Sequence, residues 1–124
     1  NQFYERFKPL SFDSIVTDNN SSNYVDPQGQ IYVTVGTGGH KIHEVHKKSD
    51  LSEIQRLLFG FLNLKLTPDG KTLNGEFISL DEEVIDKFQI KKQKETIPFF
   101  LEIIFIQQDC QIKMRKEEKV LKMV

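Results

Sequence analysis

His40, His43 and His46 stand at every third position of one short polar stretch. Imidazole is the commonest side-chain ligand of protein-bound transition metals, so the first chemistry the chain suggests is metal binding. On a helix, side chains three apart step round the axis by about 60° each. Two of the three could share a metal, and all three would strain to. Lys41, Lys47 and Lys48 surround them and oppose a cation. Two readings stand, a solvated His-rich loop and a His-loop metal site, of which the loop is the plainer.

Gly36-Thr37-Gly38-Gly39 comes directly after a β-branched run, as phosphate-binding loops do. It lacks the G-x-G-x-x-G spacing of dinucleotide sites and the Gly-Lys-Ser/Thr of nucleotide loops. It reads as a turn that ends a strand where backbones approach closely. Asp81, Glu82, Glu83 and Asp86 read as a hairpin tip and a solvated strand face. Nothing sets two of them across a cleft, as paired-acid catalysis requires. Cys110 is the only cysteine, so no internal disulfide forms; with no histidine near it in sequence, it reads as structural. The basic segment from Lys113 to Lys122 lacks interleaved aromatics, which argues against nucleic acid. Asn19-Asn20-Ser21 and Asn20-Ser21-Ser22 both satisfy the N-x-Ser/Thr acceptor pattern, which is compatible with a secreted protein.

The elements that must position these groups belong to one domain's length of chain, 124 residues. Seventeen basic and eighteen acidic residues give a net charge of −1, which excludes partners recruited by bulk charge, nucleic acid and membrane surface among them. The charge is uneven. Residues 1–90 hold nine Lys/Arg against thirteen Asp/Glu, and residues 91–124 hold eight against five. No apolar run reaches membrane-spanning length; Pro98 and Glu102 interrupt the densest stretch, 97–106. The chain opens on Asn1 rather than Met, with no basic-then-apolar leader, and processing or truncation is the expectation.

Residues 1–30 read mostly as loop. Asp26-Pro27-Gln28-Gly29 is a tight-turn sequence, and Ile31–Val35 leaves it as a strand. Ser49 to Leu58 reads as a short helix capped by Ser49 or Asp50. Residues 59–66, 72–80 and 84–90 alternate apolar and polar positions around Thr67-Pro68-Asp69-Gly70-Lys71 and Asp81-Glu82-Glu83. They predict a three-stranded antiparallel meander with one face covered. Residues 91–96 read as a charged linker. Residues 99–106 read as a strand needing burial on both faces, and 111–124 fit an amphipathic helix, apolar at 112, 114, 120, 121 and 124. On these terms the chain is a mainly β, α+β domain with no complete active site. As an isolated chain, 59–66 and 99–106 would present apolar faces or unpaired edges that invite association.

Several segments, in order, resemble the C-terminal part of the calcineurin-like metallophosphoesterases, and the purple acid phosphatase branch in particular. Tyr4-Glu5-Arg6 matches the end of that family's G-H-x-H-x-Y-E-R motif, and Lys8-Pro9-Leu10 resembles the stretch just after it. Gly29 to Gly39 resembles the strand and glycine turn after the motif. Phe59 to Leu64 resembles a Y-G-F strand, and Asp86-Lys87-Phe88-Gln89-Ile90 a closing D-x-F-x-I strand. The resemblance covers residues 1–92; residues 93–124 form an unrecognised basic extension.

The resemblance implies a C-terminal fragment of a four-layer α/β/β/α sandwich. Two Fe, Zn or Mn ions roughly 3.5–4 Å apart would clamp a phosphate ester there and activate a water for attack. The ligands it implies fall almost wholly upstream of Asn1. The one His position inside the chain holds Gln2, a poorer ligand than imidazole. No metal ligand is therefore expected in this chain, apart from the His40, His43 and His46 alternative. Tyr4, Glu5, Arg6, Gly36, Gly38 and Gly39 are what remains of the motifs. The function implied is phosphatase or phosphodiesterase activity in an intact enzyme, absent from this chain alone, whose partner would be the missing upstream part of the domain. The rival is a stand-alone β-rich binding module.

Overall fold

Strands β5, β6 and β7 form where period-2 alternation is longest, at Gly60–Leu66, Thr72–Ser79 and Val84–Lys91. Both joints are turns of the expected kind. In the first, Gly70 takes φ 72°, a left-handed value that glycine tolerates, and its N–H donates to the Thr67 carbonyl at 2.8 Å. Asp69 holds this turn by accepting from the Thr67 hydroxyl (2.6 Å) and the Lys71 N–H (3.0 Å). Those bonds, the Thr67 hydroxyl first, lower the Asp69 pKa. In the second, the pairing of β6 with β7 shifts between Phe77 and Ile78, so that Phe77 faces Asp86 and Ile78 faces Val84. This bulge leaves Val84 exposed while Asp86, Phe88 and Ile90 point inward.

The computed structural model describes residues 3–36 and 48–93, with the backbone of three further strands at 103–105, 112–115 and 120–123. The remaining strands are β1 (Tyr4–Phe7), β2 (Asn23–Val25), β3 (Ile31–Val35), β4 (Ser52–Arg56), β8 (Ile103–Phe105), β9 (Ile112–Arg115) and β10 (Val120–Met123). They form two sheets, one in the order β4-β1-β3-β8 and one in the order β2-β7-β6-β5-β10-β9. The core lies between the sheets, with Tyr4, Ile31, Val33 and Val35 from the first and Tyr24, Leu62, Leu64, Phe77, Phe88 and Ile90 from the second. The Tyr4 and Phe77 rings stack across it at 4.1 Å.

The meander and β3 match the sequence reading; several other expectations need correction. The described part of residues 1–30 is mostly loop, as read, but two strands that the reading left out interrupt it. β1 is an interior strand, antiparallel to both β3 and β4, and β2 runs parallel to β7. The helix expected over 49–58 is strand β4, whose Ile54 pairs with Arg6 and whose Gln55 pairs with Glu5. A helix that short gains little by itself in water, whereas β1 offers an open row of backbone donors and acceptors. The helix expected over 111–124 is a pair of strands. β10 pairs antiparallel with β5 along Leu62–Lys65, and β9 pairs with β10. β5, expected as an exposed edge, therefore has a strand on each side. β8 adds to β3 in parallel, within the strand expected over 99–106. The described residues contain no helix, so the architecture they show is all-β with two sheets rather than α+β.

Candidate functional site

β1 carries Tyr4 and Arg6 two residues apart, so both side chains leave the same face of the first sheet. That face meets β7 and β2 of the second sheet. Arg6 Nε donates to Asp86 Oδ2 at 2.7 Å and Nη2 donates to Oδ1 at 3.0 Å, a bidentate pair. Nη1 donates to the Tyr24 hydroxyl at 2.6 Å, and Nη2 also donates to the Ser21 carbonyl at 3.0 Å. The Tyr4 hydroxyl donates to Asp86 Oδ2 at 2.6 Å, and the Tyr24 hydroxyl to the Ser21 carbonyl at 3.1 Å. The guanidinium carbon lies 5.0 Å from the centre of the Phe88 ring and 5.9 Å from that of Tyr24, within cation–π range.

The arrangement is closed: Arg6 is 2% exposed and Asp86 7%. Gly75 lies opposite Phe88 across the β6–β7 ladder, and a methyl group there would overlap the Phe88 ring. The missing side chain makes room for the ring on which the guanidinium rests. Burial raises the Tyr4 pKa well above that of a free phenol, and the charge and hydrogen bond of Asp86 push it further the same way. Burial likewise raises that of Tyr24. For Arg6, burial works against the charged form, but the hydrogen bonds and charge of Asp86 outweigh it and hold the proton more tightly.

Chemically, this cluster is a clamp between sheets. Its donors and acceptors satisfy one another, its tyrosines are neutral, and its cation repels a metal. It offers no open ligand position and no face to a substrate. Glu5, between Tyr4 and Arg6, points to the other side of β1 and accepts from the Gln55 amide at 3.1 Å. Gly36 continues β3 and donates its N–H to the Phe3 carbonyl at 3.0 Å.

The sequence-derived candidates thus divide. Tyr4 and Arg6 come together, joined by Asp86. That residue is not on a solvated strand face as expected; Asp81, Glu82 and Glu83 are, at the exposed hairpin tip. Gln2, Gly38, Gly39, His40, His43, His46 and Cys110 lie outside the described residues. Among the described residues no group of three or more His, Cys, Asp or Glu is placed to hold a metal, and a two-metal centre does not fit them. Asp86 and Tyr24 were missed as partners of Arg6. A signal existed for Asp86: it shares the phase of Phe88 and Ile90, and a carboxylate on an apolar face requires a partner. Tyr24, within a polar loop sequence, gave none.

No family model and no curated protein matches the chain. A solved structure does, that of the purple acid phosphatase PPD1 isolated from yellow lupin (Lupinus luteus) seeds. The TM-score is 0.67 at 29% sequence identity over 75% of this chain. The chain spans 16% of that protein's length. In fold and in sequence, therefore, it resembles a small part of a purple acid phosphatase.

Proposed function

We propose that this chain is the C-terminal segment of a metal-dependent phosphatase or phosphodiesterase domain, and that its part in the reaction is structural. The observation that carries this reading is the likeness to purple acid phosphatase PPD1 at 29% identity over 75% of the chain. The Arg6–Asp86 clamp is in keeping with it. The clamp joins the residues that resemble the end of a ligand-bearing motif to those that resemble a closing strand, and so gives the chain preceding β1 a rigid base. In the complete domain two metal ions would polarise a phosphate ester and supply a hydroxide nucleophile. The residues of the two sheets would hold the loops bearing those ions in place and would neither bind a metal nor transfer a proton.

The test has two arms. Residues 1–124 alone, with Zn, Mn or Fe added, are expected to leave p-nitrophenyl phosphate intact. The coding sequence upstream of Asn1 is expected to encode D-x-H, G-D-x-x-Y, G-N-H and Gly-His motifs, and the longer chain to hydrolyse the ester. Turnover by residues 1–124 that scales with the protein would overturn the structural role. Upstream sequence without those motifs would overturn the enzyme reading and favour the binding module.

A further inference from the structure

We infer that Asn74 is a site of spontaneous deamidation that the folded sheet keeps closed, and that the isoaspartate it yields cannot rebuild the sheet. Asn74-Gly75 is the one Asn-Gly pair in the chain. Asparagine is a thermolabile residue, and a following glycine, with no Cβ, leaves the backbone nitrogen open to approach. Glycine stands there for a packing reason: the Phe88 ring fills the space that a Cβ at position 75 would need. The same ring supports the Arg6 guanidinium. The packing of the clamp therefore sets a labile dipeptide in the middle of β6.

The reaction needs water and no other reactant. The Gly75 backbone nitrogen loses its proton and attacks Asn74 Cγ, forming a new C–N bond. The bond from Cγ to Nδ2 breaks, and Nδ2 leaves with the electron pair, takes up a proton and becomes ammonia. Water then opens the five-membered imide at either carbonyl, giving aspartate or isoaspartate. No oxidation or reduction occurs.

Two features of the fold oppose ring closure, and both act on the attacking nitrogen. β6 lies between β5 and β7, and Gly75 pairs with Leu64 on one and Phe88 on the other, so its N–H is held inside the ladder. The ring also closes only when the backbone between the two residues leaves the extended conformation of a strand. The bond from Gln89 Nε2 to Asn74 Oδ1, at 2.7 Å, is not the protection; by itself it would polarise the carboxamide toward attack. Asp69-Gly70, in the exposed turn, offers a poorer electrophile, because the Thr67 hydroxyl and the Lys71 N–H keep its carboxylate ionised. Once formed, isoaspartate adds a main-chain carbon to β6. Leu73 and Phe77 both pack into the core, and an extra atom between them sets the two out of phase.

The test is incubation of residues 1–124 in mildly alkaline buffer, with and without guanidinium chloride at an unfolding concentration. Deamidation is read by mass on the proteolytic peptide that holds Asn74, and isoaspartate by a methyltransferase specific for it. In denaturant Asn74 is expected to be modified before any other asparagine, and in native buffer to stay intact over the same period. Asp86→Ala, which breaks the clamp, is expected to speed the reaction in native buffer on the order of a hundredfold. Lys87→Ala, on the outer face, is expected to change it by less than about fivefold. Chains carrying isoaspartate are expected not to regain a cooperative unfolding transition when the denaturant is removed. Equal rates at Asn74 with and without denaturant would overturn the proposal. So would a reaction no faster in Asp86→Ala than in Lys87→Ala, or isoaspartate chains that refold.

Discussion

Asp86 and Lys87 are neighbours on β7, yet their ion pairs lie on opposite faces of the sheet and in opposite physical regimes. Inward, Asp86 meets Arg6 in a bidentate pair with both partners almost wholly buried. Outward, Lys87 Nζ approaches Glu76 Oε1 at 3.6 Å, with the lysine side chain 73% exposed. The outer pair joins cross-strand neighbours on adjacent strands. The inner one joins residues 80 apart in the chain and in different sheets. Water competes for the outer pair at every moment and makes its loss nearly free. The inner pair is buried, so removing one member strands the other as an unpaired buried charge.

The sharpest way to break this contrast is to truncate the inner pair one side at a time. Asp86→Ala leaves a buried guanidinium and the Tyr4 hydroxyl without their acceptor, and is expected to destabilise the fold by about 3–5 kcal/mol. Denaturant unfolding of the isolated chain measures this. Arg6→Met should cost a similar amount, while Arg6→Met with Asp86→Leu should be more stable than either single variant, because no unpaired charge remains. If the costs of the two single changes simply add, the residues do not act as a pair.

Gly75→Ala tests the clamp from the ring beneath it. The added methyl must displace Phe88, and overpacking of this kind costs about 1–3 kcal/mol. A change with no effect on the midpoint of unfolding would mean that Phe88 and the guanidinium resting on it are loosely held.

Alkaline titration sharpens the comparison without mutation. Tyr4, Tyr24 and Arg6 all have raised pKa values in the folded protein. Groups raised in this way contribute stability that is full below their unfolded pKa. For the tyrosines, that stability is lost as pH climbs above about 10. Each tyrosine that ionises only in the unfolded chain should lower stability by about 1.4 kcal/mol per pH unit in this window. Tyrosinate absorbance from these two residues should therefore rise together with loss of the fold. Ionisation of both well before unfolding would show that water reaches the clamp.

The smallest effect is expected on the outer face. Lys87→Ala should alter stability by no more than about 0.2–1 kcal/mol, and added salt should erase the difference. A loss comparable to that of Asp86→Ala would remove the distinction between the two faces.

The resemblance rested in part on Tyr4-Glu5-Arg6 and on Asp86 to Ile90, two stretches far apart in the chain. It gave them different surroundings, a metal site for one and a closing strand for the other. In the structure the two stretches meet, and Tyr4, Arg6 and Asp86 from them join the two sheets. The charge of Asp86 put it on a solvated face in the reading, although alternation sets it in phase with Phe88 and Ile90, because a charged residue reads as exposed unless its partner is known. That partner lay 80 residues away.

Local signals in the amino-acid sequence were enough for the parts that depend on near neighbours. Ile31–Val35, the β5–β7 meander and the Asp69-Gly70 turn stem from β-branched content, period-2 alternation and a residue that tolerates positive φ. The identity of β1, β4, β9 and β10 came from packing instead. Their sequences are short and mixed, and the difference between helix, strand and coil within each is small enough for a neighbour to override it. For β4 the neighbour was the open side of β1, and for β10 the open side of β5. The same holds for the clamp. A buried charge is tolerated only where its counter-charge arrives in register, and that register is set by two sheets packing face to face rather than by any stretch of chain read alone.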